Sequence, residues 1–578
     1  MSTNTNHNWV KATTVAEVKE KGIFSRTIGG QIIAFYNTSD GIFAVDNRCP
    51  HMGFPLDRGS VTDGILTCYW HYARFDLKTG GAFDQFADDV RAFPTDIRED
   101  EVWVDLAPHG DPHAHQTERL KVGLERDLPL VIGKAVLVLL EGGSDPIGPF
   151  RVGLEFGTRY RQGGWGQGLT MLTCLMNLIP ALQPQDRPQA LYHGLAAVAR
   201  DSFGAPPRFP VRPLPGDAKD IATLKRWFRQ FIEVRDEEGA ERCLVSAVQA
   251  GASGPELADM LFAAVTDHRY IQVGHPLDFT NKALEALDHT GWDLAELVLT
   301  SLVRGYADAS RMEESNSWRH PIDLIAILED AFEQLPDAVA AGEAGSQTWQ
   351  ERDGLVEVLF ADDPAASVEA LLESLRQGAG MVDLASAVSH AAALRIARFH
   401  TSNEFSDWDT ALHTFTFANA VEQGLRRAPS IELLRGVFDA AMSIYLDRFL
   451  NIPPARLPQA NGQLPQEALD GLPGLLDRQQ QVNQAAGHVV DYLAHAGDAK
   501  PLLAMLGKLL LREDRDFHTI QTVEAAIRQY KLLPEAEAAH ALVAAARYLA
   551  AHSPTVRAQG QTYDIARRLH RGEKLFEG

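Results

Sequence analysis

Cysteine is scarce, with four residues in 578. That excludes a disulfide-stapled fold, which needs cysteines densely placed in a short secreted chain. Missing too is any run of about 18 uncharged apolar residues, so no membrane-spanning helix is expected. The opening stretch MSTNTNHNWV lacks both the basic segment and the apolar core of a secretory signal. Positive charge is in deficit, with Lys+Arg 54 against Asp+Glu 77, a net charge of −23 and a pI near 5.3. Such a surface repels phosphate backbones, so nucleic acid is not an expected partner. The expectation is a cytoplasmic protein with no membrane or nucleic-acid role. Hydrophobic residues at 45% and charged residues at 23% exclude disorder as the dominant state. The length leaves room for two to four domains at roughly 150 residues each.

The chain divides by pattern. From Trp9 to about Ala107, short β-rich runs alternate with glycine turns: Gln31–Tyr36 and Ile42–Val45 flank Thr38-Ser-Asp-Gly41, which reads as a hairpin. Residues 1–107 therefore form a small all-β domain. Residues 108–118 (Pro-His-Gly-Asp-Pro-His-Ala-His-Gln-Thr-Glu) have the composition of a solvated linker, and their three histidines read as solvent-facing rather than ligating. Residues 119–578 carry apolar side chains at helical spacing, in segments such as Ala222–Val234, Pro321–Phe332, Met381–Phe399, Trp408–Arg427 and Pro501–Leu511. They read as one large all-α domain, since no period of 33 to 47 residues recurs.

Chemistry concentrates first at Cys49-Pro-His51 and Cys68-Tyr-Trp-His71, two loops that each offer one thiol and one imidazole. Such a set suits a [2Fe–2S] cluster with two Cys on one iron and two His on the other, or a Cys2His2 zinc site. The surrounding residues, CPHMGFPLDRGSVTDGILTCYWHYARFDLKTGG, resemble the Rieske domain family from about Trp9 to Ala107. Gly53, Pro55, Leu56, Gly59, Gly64, Trp70, Phe75, Asp76, Thr79 and Gly80 carry the match. The resemblance implies that Cys49 and Cys68 bind the inner iron while His51 and His71 bind the outer one. Tyr69 and Tyr72 depart from it, standing where ferredoxin-type and oxygenase-type members usually have Pro and Gly. No extra cysteine lies near either loop, which points to the low-potential ferredoxin and oxygenase branch. Cys174 and Cys243 lie in apolar helical contexts and read as small buried hydrophobes.

A cluster that moves electrons leaves residues 119–578 needing a purpose. The usual two-His, one-carboxylate iron triad is absent at its spacing; His268 and His275, with six residues between, come nearest. His193, His275, His390 and His413 stand among small or apolar residues of predicted helices, and Lys508 lies in an equally apolar stretch, Met505-Leu-Gly-Lys-Leu-Leu-Leu. A buried lysine loses its charge, and a neutral amine can take up CO2 to become a carbamate ligand. Snorkelling to solvent is the alternative. The order of His193, His275, His413 and Lys508 is similar to that in the questin oxidase-like family, whose members bind one iron through histidines and a carboxylated lysine. His390 is the first choice for the fourth histidine and His320 the second. The acidic segment Glu513–Gln521 reads as a helix start, with His518 placed to line a pocket.

The expected function is that of a Rieske-type non-heme iron oxygenase. Its [2Fe–2S] cluster would pass electrons from a reductase or ferredoxin to a mononuclear Fe(II) that activates O2 against an aromatic or polycyclic small molecule. A Rieske electron carrier with a docking helical domain is the alternative, and a redox-sensing module a third reading. A homo-oligomer is compatible with the chain.

Overall fold

The computed structural model describes residues 7–107, 111–216, 220–345, 349–350, 352–478, 481–512, 515–553 and 560–575. It separates into two compact units, Met1–Pro149 with Gln561–Gly578, and Phe150–Gly560.

Among its described residues the first unit holds ten strands: β1 (Trp9–Thr14), β2 (Ile23–Ile28), β3 (Gln31–Thr38), β4 (Gly41–Asp46), β5 (Ser60–Thr62), β6 (Ile65–Thr67), β7 (Arg74–Asp76), β8 (Ala92–Phe93), β9 (Thr95–Arg98) and β10 (Glu101–Asp105). They form three antiparallel sheets, ordered β1-β10-β9, β2-β3-β4-β8 and β5-β6-β7. The hairpin read from Thr38-Ser-Asp-Gly41 is the β3–β4 turn, with Thr38 opposite Gly41. Strand β3 is buried on both faces. Ile33 and Phe35 join Phe93, Val102 and Val104 in one core, while Ala34 and Tyr36 join Cys49, Cys68 and Phe75 in the other. Two close approaches shape the second core. A side chain at Gly59 would meet the Thr67 carbonyl, and one at Gly80, where φ is +82°, would meet that of Val90.

The linker expected at 108–118 is instead largely helix. Asp111 caps the helix Pro112–Glu125 by accepting from the backbone N–H groups of His113 and Ala114, with Pro112 in its first turn. The Asp-Pro pair that suggested a loop is a helix start, and His115 reaches Asp88 at 2.8 Å; Pro108, His109 and Gly110 lie outside the described residues. This helix, Pro129–Glu141 and Gln561–His570 all belong to the first unit. The division between units therefore does not fall at 107/119.

Among its described residues the second unit contains helices and no strand. Asp220, Ser253, Asp363, Ser430 and Asp516 each accept a backbone N–H and set a helix start. The helix expected at Pro321–Phe332 begins at Leu324, because Asp323 caps it, and runs to Ala344. No helix among the described residues is long and apolar enough to cross a membrane.

Candidate redox and metal centres

Two loops of the first unit have the same construction. Cys49 leads a turn closed by Gly53 N–H donating to the Cys49 carbonyl at 2.8 Å, and Cys68 leads one closed by Tyr72 N–H donating to the Cys68 carbonyl at 2.9 Å. The sulfurs face each other in the core. Cys49 Sγ accepts from the N–H groups of His51 and Met52, and Cys68 Sγ from those of Trp70 and His71. The Cys49 thiol donates to Cys68, which lowers the pKa of Cys68 and raises that of Cys49. The rings of His51 and His71 meet edge to face with centroids 4.8 Å apart.

The two imidazoles differ in setting. His71 is exposed beside Trp70, whereas His51 is half-buried against Phe86. Burial, then Lys134 and His71, pulls His51 down to about 4. Its Nδ1 is buried with no hydrogen-bond partner. Two facing thiols, two adjoining imidazoles and one orphaned buried nitrogen fit a Cys2His2-ligated cluster. Tyr69 and Tyr72 point outward, 53% and 68% exposed. Tyr72 adopts φ +60°, the conformation a glycine takes without strain.

A second convergence lies in the second unit. His275 opens the helix His275–Thr290, His413 sits within Phe405–Arg427, and His518 lies in the first turn of Phe517–Leu532. One nitrogen from each ring lies within 4.8 Å of the others. His413 Nε2 is 3.1 Å from His518 Nε2, and the His275 ring is 4.8 Å from that of His413. Burial lowers all three pKa values, His275 to about 4 and His413 to about 3. At neutral pH these rings are uncharged and keep lone pairs for a metal. The backbone carbonyl of Asp409 accepts the remaining N–H of His413, which fixes the tautomer that points Nε2 at the cluster. Tyr270, Gln272 and Val273 adopt φ between +38° and +48° just before His275, backbone strain of the kind that gathers at functional sites.

Beneath the histidines, successive turns of His275–Thr290 and Phe517–Leu532 carry buried polar groups. Gln521 donates to Asp278, whose other oxygen has no partner. Burial, partly opposed by Lys282, pushes Asp278 up to about 8. One turn further, Lys282 donates to Glu524 at 2.7 Å and to Glu285 at 3.1 Å. Burial works against the Lys282 ammonium, but Glu285 and Glu524 outweigh it and hold its pKa above the usual lysine value. On another side His275 borders a cavity of about 520 Å3, walled by Trp165, Phe279 and Tyr306 with Arg161 and Gln272.

The structure brings together two of the five ligands expected from the sequence, His275 and His413, and adds His518. His193 Nε2 lies 2.9 Å from the Leu511 carbonyl. His390 is held in a separate cluster, 3.0 Å from His540 and 3.2 Å from Glu537. Lys508 is exposed, in line with half-buried Met505 and the capping residue Arg512 on the helix Lys500–Leu511, so solvation and not carboxylation accounts for it. His320 is exposed, and His268 pairs with Glu313 at 2.8 Å. Glu513 and Asp514 lie outside the described residues, while Asp516 caps the helix that begins at Phe517, as the acidic run suggested. Cys174 and Cys243 are buried and free.

Residues 8–94 match the family described as Rieske [2Fe-2S] domain. The ferredoxin component of the naphthalene 1,2-dioxygenase system of Pseudomonas aeruginosa is 28% identical over 100 residues, covering 17% of this chain and 96% of that protein. The ferredoxin component of the p-cumate 2,3-dioxygenase system of Pseudomonas putida is 30% identical over 82 residues, 14% of this chain and 70% of its own length. The vanillate O-demethylase oxygenase subunit of a Pseudomonas strain is 41% identical over 64 residues, 11% of this chain and 18% of that protein.

Proposed function

Since the chain belongs, through residues 8–94, to the Rieske [2Fe–2S] domain family, we propose that it is a self-contained oxygenase. In this reading Cys49, His51, Cys68 and His71 hold the cluster, and His275, His413 and His518 hold a single iron. When bound, the cluster supplies electrons one at a time, and the iron supplies open coordination positions for O2 chemistry.

The chain's own residues prepare both centres. Four backbone N–H groups aimed at Cys49 and Cys68 stabilise negative charge on the sulfurs. Exposed His71 offers the contact for a donating reductase or ferredoxin. The three histidines are held neutral by burial, so they bind metal without first losing protons. Trp165, Phe279 and Tyr306 give the adjoining cavity flat apolar walls suited to an aromatic substrate, while Arg161 and Gln272 supply polar orientation. Asp278, protonated at neutral pH, is a proton store one turn from His275.

The observation that carries this reading is the His275–His413–His518 cluster beside the cavity. This site departs from the questin oxidase-like expectation: His518 joins His275 and His413, while His193 and Lys508 lie elsewhere. Metal analysis of the full chain tests it: the oxygenase needs about three irons per chain and consumes O2 when reduced with substrate. The electron-carrier reading is favoured by ferredoxin components among the relatives. Two irons per chain and no O2 uptake would select it.

A further inference from the structure

We propose that Lys134 sets the reduction potential of the cluster, by placing a half-buried positive charge against the loop that carries His51. The inference rests on the ligand assignment above and goes beyond it.

Lys134 comes from the helix Pro129–Glu141, outside the span that matches the family. It is the one charged residue between Pro129 and Leu140, among Val131, Ile132, Val136 and Leu137, which are buried. Its ammonium donates to the carbonyl of Pro50 at 2.6 Å and to that of His51. Withdrawing an ammonium from water is costly unless something negative offsets it. Among the described residues no carboxylate forms an ion pair with Lys134. Asp88, which shares its cavity, is taken by Arg119 at 3.3 Å and His115 at 2.8 Å. Burial pulls the Lys134 ammonium down to about 8, with Cys49, ahead of Asp88, working against that fall, so the group is charged at pH 6. The half-buried charge thus engages the carbonyls of the cluster loop and no carboxylate directly.

Reduction adds one electron from an external one-electron donor and makes the centre more negative by one charge. No bond at Lys134 forms or breaks. A fixed cation at this position favours the reduced state, because net charge and hydrogen bonding set the potential of such clusters. The same contact presses the helix Pro129–Glu141 onto the His51 loop and leaves His71 as the more exposed ligand.

The test is a potentiometric titration of the full, cluster-loaded chain at pH 6, followed by the EPR signal of the reduced centre. Lys134→Gln keeps a donor for the carbonyls and removes the charge, Lys134→Met removes both, and Lys134→Arg keeps the charge. At the potential that half-reduces the wild type, the Gln and Met variants should show an oxidised-to-reduced ratio about five to ten times higher, where tenfold corresponds to 59 mV for one electron. The Arg variant and a control at exposed Lys121 should stay within about twofold. A Gln variant with an intact spectrum and an unmoved potential would overturn the inference alone. Loss of the cluster from all three variants would reduce Lys134 to a loop brace and overturn it as well. A wild-type chain without the Rieske spectrum would instead overturn the ligand assignment, and this inference with it.

Discussion

His413 Nε2 and His518 Nε2 lie 3.1 Å apart although 105 residues separate them in the chain. With only protons to share, one ring must donate to the other. Two nitrogens bound to one tetrahedral ion at about 2.0–2.1 Å sit roughly 3.3 Å from each other, so the observed spacing also suits a shared metal. The His275 ring closes the third side.

Replacing His518 with Ala should remove one iron per chain and leave the Rieske spectrum unchanged, since the two centres lie in separate units. Lys508→Ala and His193→Ala should retain that iron. Elemental analysis beside EPR reads both; an iron lost with Lys508 would restore the carbamate ligand and defeat the three-histidine site.

Cys68→Ser should abolish the cluster's visible absorption and EPR signal while about one iron per chain remains, because a neutral hydroxyl replaces the thiolate. Retention of a Rieske signal in this variant would contradict the ligand assignment.

Lys282 is fully buried between Glu285 and Glu524. Lys282→Met would leave Glu524 without its nearest cation and Glu285 with Arg528 alone, and should cost about 3–5 kcal/mol. The denaturant midpoint of the second unit reports this. A shift equivalent to under about 1 kcal/mol would mean that Arg528 alone, 2.8 Å from Glu524, compensates the pair.

Acid should weaken the second unit through His390. Burial, followed by the charges of His540 and Arg352, lowers its folded pKa to about 3, against 6.5 when unfolded. As pH falls below 6.5 the unfolded chain takes up a proton that the folded chain refuses, so stability is lost between about 6.5 and 3. From pH 7 to pH 5 this amounts to about 1–2 kcal/mol. A His390→Leu variant should lose correspondingly less over that range in denaturant titrations, and equal losses would argue against the assignment.

The cluster loops were legible because their ligands are near in sequence and the glycines that shape them, such as Gly59 and Gly80, have local reasons. The histidine cluster was legible only in part. An apolar neighbourhood marks a buried helix face, but it does not say which buried faces meet. His390 satisfied the pattern and pairs with His540 on a helix that sequence reasoning left aside. Lys508 was misread because leucines on both sides hid its place in line with half-buried Met505 and the capping residue Arg512. His518 stood at a helix start, where polar residues are ordinary. A usable signal lay in the polar series His518, Gln521, Glu524, Arg528, which runs in step with His275, Asp278, Lys282, Glu285. Matched polar stripes on two apolar helices mark faces that pack together.

The helix Gln561–His570 belongs to the first unit and packs on Pro129–Glu141, and Arg48 of the cluster loop donates to the carbonyl of Leu569. That contact joins residues 521 positions apart. At roughly 5–20 residues per second, synthesis of the residues between them takes on the order of half a minute or more. For that interval Arg48 lacks its Leu569 partner. The first unit is thus completed only after the whole of Phe150–Gly560 has been made, because the helix that packs on Pro129–Glu141 follows the second unit in the chain.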